Sequence, residues 1–454
     1  MHRNFIKNIL LFILLCLQLN TNGAELSYRE ILDTAINNSF DLKMSALDIS
    51  ISKANLKAVR ADWYPTLSMQ FNTEYNKDLT DGQGTYAYAG NTMITPYTQY
   101  RDMLYLTASY NLLDYGIQGH KVHIAKQELA QKETNYNIQL KDLKLKILDL
   151  YCKAQQYNNT INTKSEILEL YENMFHNKER MYKAGINNKL SVMDEAVKMA
   201  KTQSEVEGAK RELKNILEDL SYYTKTDYEI ENLNFKRIEN NIIDVGDIKI
   251  QEPTINKDIQ LQNRIFFNKY ITNESRYYDL EIDKKKSELS ILKRQRLPIF
   301  RIYAGYALYG QNPNNYWHSI QDVGQRSFVV GLSSQYVFFD GFKNRANREK
   351  TKLEIEKLQI EKEKKLSELE NRYTKTFKTY ESYNEELNTN QMILSTVQSK
   401  LNDIGRLKVK KLIDENELLA TKAELLTQEF ELEQNIINIT SKMEEMKIMA
   451  GYEL

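Results

Sequence analysis

The chain repeats one pattern twice, and this duplication constrains its fold more than any other feature of the sequence. In each half a helical stretch ends at a proline, Pro65 or Pro298, and a strand-like run follows it. Proline closes a helix because it lacks the N–H that the helical ladder needs. Further along, a second strand-like run ends at Asp114 or Asp340, each suited to cap the long charged helix that follows. We therefore expect two halves with one fold.

A glycine then interrupts the long helical pattern of each half. Gly185 and Gly405 each precede an Asp-Glu pair by nine residues. Because glycine commonly ends helices, we predict that these two glycines are the tips of helical hairpins. The predicted organisation is a signal segment over 1–24, a first repeat over 25–224, a link over 225–258 and a second repeat over 259–454.

Two segments in each repeat alternate between apolar and polar residues, which is the signature of a β-strand. Leu67, Met69 and Phe71 share one face of such a run, while Ser68 and Gln70 share the other. Each run has about 10 residues, the length of a tilted strand that crosses a bilayer. The alternative is a soluble hairpin packed on another element. The predicted strands cover 66–76, 103–113, 299–309 and 327–339, with exposed loops over 77–102 and 310–326.

Most of the remaining chain is predicted as helix. Apolar residues follow 4-3 spacing in both repeats, which is the pattern of a coiled-coil seam. A continuous helix over 117–184 would be about 100 Å long, too long for a globular core. The seam positions are Leu140, Leu143, Ile147, Leu150, Ala154, Tyr157 and Ile161 in the first repeat, and Leu366, Leu369, Tyr373, Phe377, Tyr380 and Leu387 in the second.

The N-terminus predicts export. Residues 1–24 have a basic start, an apolar run over Ile9–Leu17 and a polar end. That run is about half of the ~20 residues that a spanning helix needs, so it is typical of a cleaved signal peptide. Cleavage would remove Cys16 and leave Cys152 as the one thiol, which excludes an intramolecular disulfide.

Charge and motif content argue against nucleic-acid binding and catalysis. The chain has 62 Lys and Arg against 62 Asp and Glu, mixed along its length, so it has no basic surface for a phosphate backbone. It has no glycine-rich phosphate loop and no Gly-x-Ser-x-Gly motif. His120 and His123 have a spacing that could hold zinc, but no nearby cysteine completes a set. We expect no enzyme activity, no cofactor and no metal site.

Four membrane strands in one chain require partner chains. Each unsatisfied backbone group in hydrocarbon costs several kcal/mol, so a spanning sheet cannot keep an open edge. Two chains would give eight strands, a barrel filled by its own side chains, whereas three would give twelve strands and a lumen. A channel therefore needs at least three subunits.

The signal segment, the opening Leu26-Ser-Tyr-Arg-Glu-Ile-Leu, the duplicated strand pairs led by Pro65 and Pro298, and the junctions at Asp114 and Asp340 together resemble the TolC-type outer-membrane efflux family. The resemblance implies an α+β membrane protein, a homotrimer that shares one twelve-stranded β-barrel and continues as a helical tunnel into the periplasm of a Gram-negative bacterium. Such proteins are passive exit ducts of tripartite pumps and type I secretion systems. They dock through their hairpin tips to a periplasmic adaptor and an inner-membrane transporter.

The resemblance also implies an acidic ring at the periplasmic entrance, formed by two aspartates one turn apart. Asp414 falls on the later position, but the earlier one is Lys411, so the entrance could be a neutral, salt-bridged constriction. The alternative is that both are solvated charges at a helix end. Asp194 lies at the equivalent place in the first hairpin, where we expect a helix cap rather than a gate.

A periplasmic structural or adaptor protein is the alternative function. Its long coiled coils would scaffold a complex, and its strands would form a soluble hairpin domain. It would also be exported and lack catalysis. The location of the strands distinguishes the two, because a lipid-facing barrel fractionates with the outer membrane.

Overall fold

The computed structural model describes most of the chain, which divides into two compact units. The described residues are 25–77, 85–88, 91–94, 99–228, 234–238, 267–312, 314–321, 324–410 and 412–451. The predicted signal segment lies outside them, as does most of the predicted link. A sheet unit comprises the described residues of 47–133 and 277–362, and a helical unit comprises the other described residues.

Each half contains a helix, two long strands and two further long helices in the same order, but the segments between the strands differ. The strands are β1 (Glu25–Leu26), β2 (Thr66–Asn76), β3 (Thr85–Tyr88), β4 (Asn91–Ile94), β5 (Gln99–Leu113), β6 (Asn234–Phe235), β7 (Ile299–Asn312) and β8 (Gln325–Gln335). The helices are α1 (Tyr28–Asn38), α2 (Phe40–Ala61), α3 (Ile117–Lys183), α4 (Lys189–Thr224), α5 (Asn273–Arg294), α6 (Tyr316–Gln321), α7 (Lys343–Val409) and α8 (Glu415–Ala450).

Helix lengths match between the halves. Helices α2 and α5 each have 22 residues, α3 and α7 each have 67, and α4 and α8 each have 36. The two halves therefore build the same series of helices from different sequences. Within the described residues, no helix is both long and apolar enough to cross a membrane.

The sheet unit contains four antiparallel strands in the order β2-β5-β7-β8. Strand β5 begins at Gln99, four residues before the predicted start at 103, because its first residues have partners on both sides. Gln99 pairs with Asn76 of β2, and Tyr100 pairs with Asn312 of β7. The same pairing extends β7 beyond the predicted end at 309.

Strand β8 ends at Gln335, although alternation predicted a strand as far as 339. Its last residue pairs with Ile299, the first residue of β7. Pro298 precedes that residue and has no N–H to continue the ladder. The aromatic residues after Gln335 therefore lie outside the sheet.

Both segments predicted as loops contain regular structure. Strands β3 and β4 form a hairpin inside 77–102, with Thr85 opposite Ile94 and Tyr88 opposite Asn91. Helix α6 lies inside 310–326. The polar composition of both segments predicted loops. Short hairpins and single helical turns are held by local hydrogen bonds, which do not require an apolar pattern.

The helical unit is built on the seam of α3, which was predicted from 4-3 spacing. Leu143, Ile147, Leu150 and Ala154 are all buried. They pack in one cluster with apolar residues of α1, α4 and α8. Tyr151 lies fully buried in the same cluster, and its hydroxyl donates to the carbonyl of Leu26 at 2.9 Å. This contact joins α3 to β1, which pairs in parallel with β6.

Candidate functional site

The sheet has one apolar face and one polar face. Pairing register places the alternating apolar residues of all four strands side by side, as Leu67 opposite Ala108 and Tyr306 opposite Phe328 illustrate. Most of these side chains are exposed, including Leu67 at 76% and Phe328 at 72%. The apolar face comprises Leu67, Met69, Phe71, Leu104, Leu106, Ala108, Ile302, Ala304, Tyr306, Phe328, Val330 and Leu332. An exposed apolar surface of this extent is typical of a surface that contacts lipid or another protein.

The opposite face is polar and hydrogen-bonded across strands. Ser68 and Thr107 are directly opposite and share a hydrogen bond between their hydroxyls. Glu74 and Arg101 are also opposite, with their charged atoms 3.8 Å apart. The face includes Gln70, Asn72, Tyr105, Tyr303, Gly305, Ser327 and Gly331. Strands of a membrane barrel show the same alternation, because one side meets lipid and the other meets water.

Glycine allows close packing of the tyrosines on the polar face. Tyr303 lies directly opposite Gly331. A Cβ atom on Gly331 would come within 2.4 Å of the Tyr303 ring, and one on Gly305 within 2.5 Å of the Tyr105 hydroxyl. Both rings therefore lie across the neighbouring strand.

Both outer strands of the sheet have an unmatched edge. Within the described residues, β2 pairs only with β5 and β8 pairs only with β7. An exposed strand edge presents free N–H and C=O groups that can template pairing with another chain. The single chain therefore forms part of a sheet rather than a closed one.

Aromatic residues gather where the strands give way to helices. Trp63 and Tyr64 precede β2, while Tyr336, Phe338 and Phe339 follow β8. All five are more than half exposed. Alternation predicted that Tyr336, Phe338 and Phe339 end a strand, whereas the structure places them after β8.

The predicted strand–helix junctions lie at the sheet boundaries. Pro65 and Pro298 directly precede β2 and β7. The Asp114 carboxylate accepts hydrogen bonds from the backbone N–H of Gly116 at 2.9 Å and of Gln118 at 2.7 Å. Asp340 accepts from the N–H of Asn344 at 2.8 Å. Each aspartate thus satisfies amides of the first turn of α3 or α7, as a capping residue does.

The end of the first hairpin lies between α3 and α4. Gly185 has a φ of +73°, the left-handed conformation that glycine adopts at little cost. Asn188 caps α4, because its side chain accepts from the N–H of Ser191 at 2.9 Å. The predicted cap role of Asp194 is therefore wrong, since Asp194 lies inside α4 with its side chain exposed.

The end of the second hairpin does not lie at Gly405, and that prediction is also wrong. Gly405 lies inside α7, which continues to Val409. A helical glycine costs only about 1 kcal/mol relative to alanine, so a single glycine does not end a helix of this length. The last residues of α3 and α7 are separated by the same number of residues as Asp114 and Asp340. Gly185 and Gly405 are six residues closer together than this. The two glycines therefore do not occupy equivalent positions in the two halves.

The structure describes one of the two predicted entrance residues, Asp414. Asp414 is the N-cap residue of α8, is exposed and makes no side-chain cap hydrogen bond. Its carboxylate instead accepts from the Asn416 side chain at 3.0 Å. Lys411 lies outside the described residues. Next to this turn, Lys408 and Glu415 form an ion pair at 3.0 Å.

Sequence reasoning missed an apolar stripe at the end of the first hairpin. Leu190, Met193 and Val197 recur at helical spacing along the start of α4, Ile186 lies in the turn before it, and each is about half exposed or more. Spacing of i, i+3 and i+7 places the three helical residues on one face. The same rule that identified the seam of α3 would have found this stripe.

The histidines and the cysteine that were considered for chemistry do not form a metal site with other residues of the described chain. His120 and His123 lie one turn apart on α3, and burial together with the nearby Arg294 lowers the pKa of His120. Burial raises the pKa of the Cys152 thiol to about 11. Among the described residues, no group of three or more His, Cys, Asp or Glu side chains could hold a metal ion.

Comparison with known proteins relates the first half of the chain to one family. Residues 31–224 match the family model described as outer membrane efflux protein. No curated protein sequence matches the chain.

Three solved outer membrane proteins have a similar fold at low sequence identity. The outer membrane protein VceC of Vibrio cholerae is 13% identical with a TM-score of 0.74, covering 94% of this chain and 97% of that one. The CmeC outer membrane channel of Campylobacter jejuni is 12% identical with a TM-score of 0.69, covering 92% and 85%. The MtrE outer membrane channel of Neisseria gonorrhoeae is 13% identical with a TM-score of 0.65, covering 94% and 89%. The first half of the chain thus matches the outer membrane efflux protein family, and nearly the whole chain shares its fold with these outer membrane proteins.

Proposed function

We propose that the chain is the outer-membrane exit duct of an export system. Three copies share one twelve-stranded barrel, and the long helices form the wall of a periplasmic tunnel through which substrates pass without energy input from the duct. The observation that carries the proposal is the two-faced sheet with two unmatched edges. The family is one of transport channels, which favours the duct over the alternative of a periplasmic scaffold.

The sheet topology supports closure by edge-to-edge assembly. All four strands alternate in direction, so β8 of one copy runs antiparallel to β2 of the next. Because the two edges are different strands, this contact is heterologous, and it forms a ring when the rotation between copies closes. Two copies would give a barrel filled by side chains, whereas three leave a lumen. The polar face with Ser68, Gln70 and Glu74 then lines that lumen, and the apolar face meets lipid.

Detergent-purified protein is expected to be a particle of three chains that forms discrete pores in planar bilayers. Its mass in detergent, corrected for bound detergent, measures the first property, and single-channel recording measures the second. A monomer or dimer without conductance would contradict the duct and restore the scaffold alternative.

The same recordings test the entrance. We propose that Asp414 and Lys411 contribute the charges at the periplasmic end of the duct, as the exposed position of Asp414 supports. Asp414→Ala and Lys411→Ala should each change the ion preference or the resting conductance. Asp194→Ala is the matched control, because Asp194 is exposed on α4 away from the helix cap. Unchanged records for both entrance variants would refute this assignment.

The hairpin ends are the proposed docking sites for a periplasmic adaptor, which connects the duct to an inner-membrane transporter. The first hairpin end supports this with the exposed apolar stripe that includes Leu190 and Val197. The second end is charged, with Lys408, Lys410 and Glu415 around its turn. If the stripe is the docking surface, Leu190→Glu should prevent cross-linking to the adaptor in cells and leave the conductance of the purified duct intact. Undiminished cross-linking would refute it.

A further inference from the structure

Helix α6 folds back over the apolar face of the sheet, a feature that the duct itself does not require. The buried Ser319 on α6 donates its hydroxyl to the carboxylate of Asp102 on β5, which is also buried. The Tyr316 ring makes an edge contact with the Tyr100 ring at 5.9 Å between centroids. Asn315 accepts from the N–H of Trp317 at 2.9 Å and so fixes the start of the helix.

Register shows which face α6 covers. Asp102 pairs with Thr73, and Tyr100 pairs with Tyr75. These pairs lie at every second position from the apolar pair of Leu104 and Phe71. Since side chains alternate along a strand, Asp102 and Tyr100 lie on the apolar face. A carboxylate on a lipid-facing surface is costly unless it is covered and hydrogen-bonded. Helix α6 supplies that cover, so it lies on the outer side of the sheet and not over the polar face.

The outward residues of α6 have the chemistry of a membrane interface. Trp317 is 67% exposed, and its ring contacts Tyr316 at 5.3 Å. His318 is exposed beside it, and Arg326 is exposed on β8 at the same end of the sheet. Tryptophan and tyrosine concentrate where hydrocarbon meets headgroups, and arginine binds phosphate well.

The distance to the opposite end of the sheet fits a bilayer. Trp63 and Tyr64 precede β2, whereas Tyr75 lies near its far end. An 11-residue strand tilted by about 45° spans about 25 Å along the membrane normal. The aromatic residues at the two ends of β2 are therefore separated by about the thickness of the hydrocarbon layer of a membrane.

We propose that α6 is a lipid anchor on the outside of the barrel. Trp317, Tyr316 and Arg326 contact phosphate-bearing headgroups at the loop end of the sheet, and the hydrogen bond between Ser319 and Asp102 holds the helix there. The proposal rests on the proposed function, because it takes the apolar face to be lipid-facing. The partner is a lipid surface rather than a protein.

The chain has two tryptophans, which makes a direct test possible. Trp63→Phe leaves Trp317 as the sole emitter, and Trp317→Phe leaves Trp63. Each full-length variant is reconstituted in phosphatidylcholine vesicles with bromine either near the headgroup or at the chain end. We expect the headgroup-proximal bromine to remove most of the Trp317 emission and the chain-end bromine to remove much less.

The other outcomes are distinguishable. If bromolipid quenches Trp63 but not Trp317, α6 is not in the headgroup layer and the anchor is refuted while the duct stands. If neither tryptophan is quenched, the apolar face does not meet lipid and the proposed function itself fails. Strongest quenching of Trp317 by the chain-end bromine would also overturn the headgroup assignment.

A second variant tests what holds the helix. In the Trp63→Phe background, Ser319→Ala removes the hydroxyl that donates to Asp102. We expect Trp317 quenching by headgroup-proximal bromine to fall and quenching by aqueous iodide to rise. Unchanged values would show that this hydrogen bond does not position α6. Ser333→Ala is the matched control, because Ser333 lies on the polar face of β8.

Discussion

Val330→Arg is expected to prevent stable insertion of the chain into the outer membrane. Val330 lies near the middle of β8 on the apolar face, opposite Ala304, and is 62% exposed. An arginine at the centre of a lipid-facing strand costs about 2–4 kcal/mol, and assembly of three copies would multiply this cost. The measurement is the amount of folded protein in the outer-membrane fraction.

The adjacent residue provides the control. Val329 lies on the polar face of the same strand, opposite Gly305. Because that face is proposed to meet water, Val329→Arg should accumulate close to the wild-type amount. Equal accumulation of both variants, or a greater loss with Val329→Arg, would show that the lipid-facing side has been assigned wrongly.

Lys141→Met is expected to lower the free energy of unfolding by about 3–5 kcal/mol, the usual cost of leaving a buried charge without its partner. Lys141 on α3 forms an ion pair with Glu274 in the first turn of α5, and the two side chains are 15% and 7% exposed. Loss of the ammonium leaves the Glu274 carboxylate buried alone. Chemical unfolding of the purified protein, followed by helical circular dichroism, measures the change.

Two further variants separate burial from charge. Lys141→Met combined with Glu274→Leu should recover most of the lost stability, because no buried charge then remains. Lys153→Met removes one member of an exposed pair with Asp149, whose atoms are 2.8 Å apart, and should change stability by less than about 1 kcal/mol. A loss for Lys153→Met as large as for Lys141→Met would contradict the role of burial.

The elements that the sequence predicted well have a pattern repeated over many residues. The seam through Ile147 and Ala154 is buried as 4-3 spacing requires. The alternation of β2, from Leu67 to Tyr75, is present as two distinct faces. Such patterns survive local exceptions because every turn or every second residue contributes to the same buried or lipid-facing surface.

Two of the predictions that failed rest on single residues. Gly405 was taken as a helix end, but α7 continues through it to Val409, since one helical glycine costs only about 1 kcal/mol. Asp194 was taken as a cap, but Asn188 is the residue whose backbone precedes the first turn of α4. A residue type indicates what a position can do, and the surrounding chain decides whether it does so.

The two repeats, the strand alternation and the long helices could be predicted from the amino-acid sequence, because each follows from periodicity along the chain. The folded structure was needed to find where the hairpins end, that α6 covers Asp102, and that β2 and β8 are the unmatched edges. These features depend on which strands pair and on contacts between residues far apart in sequence, such as Asp102 and Ser319. Periodicity carries no information about such contacts, since they arise only when the chain has folded.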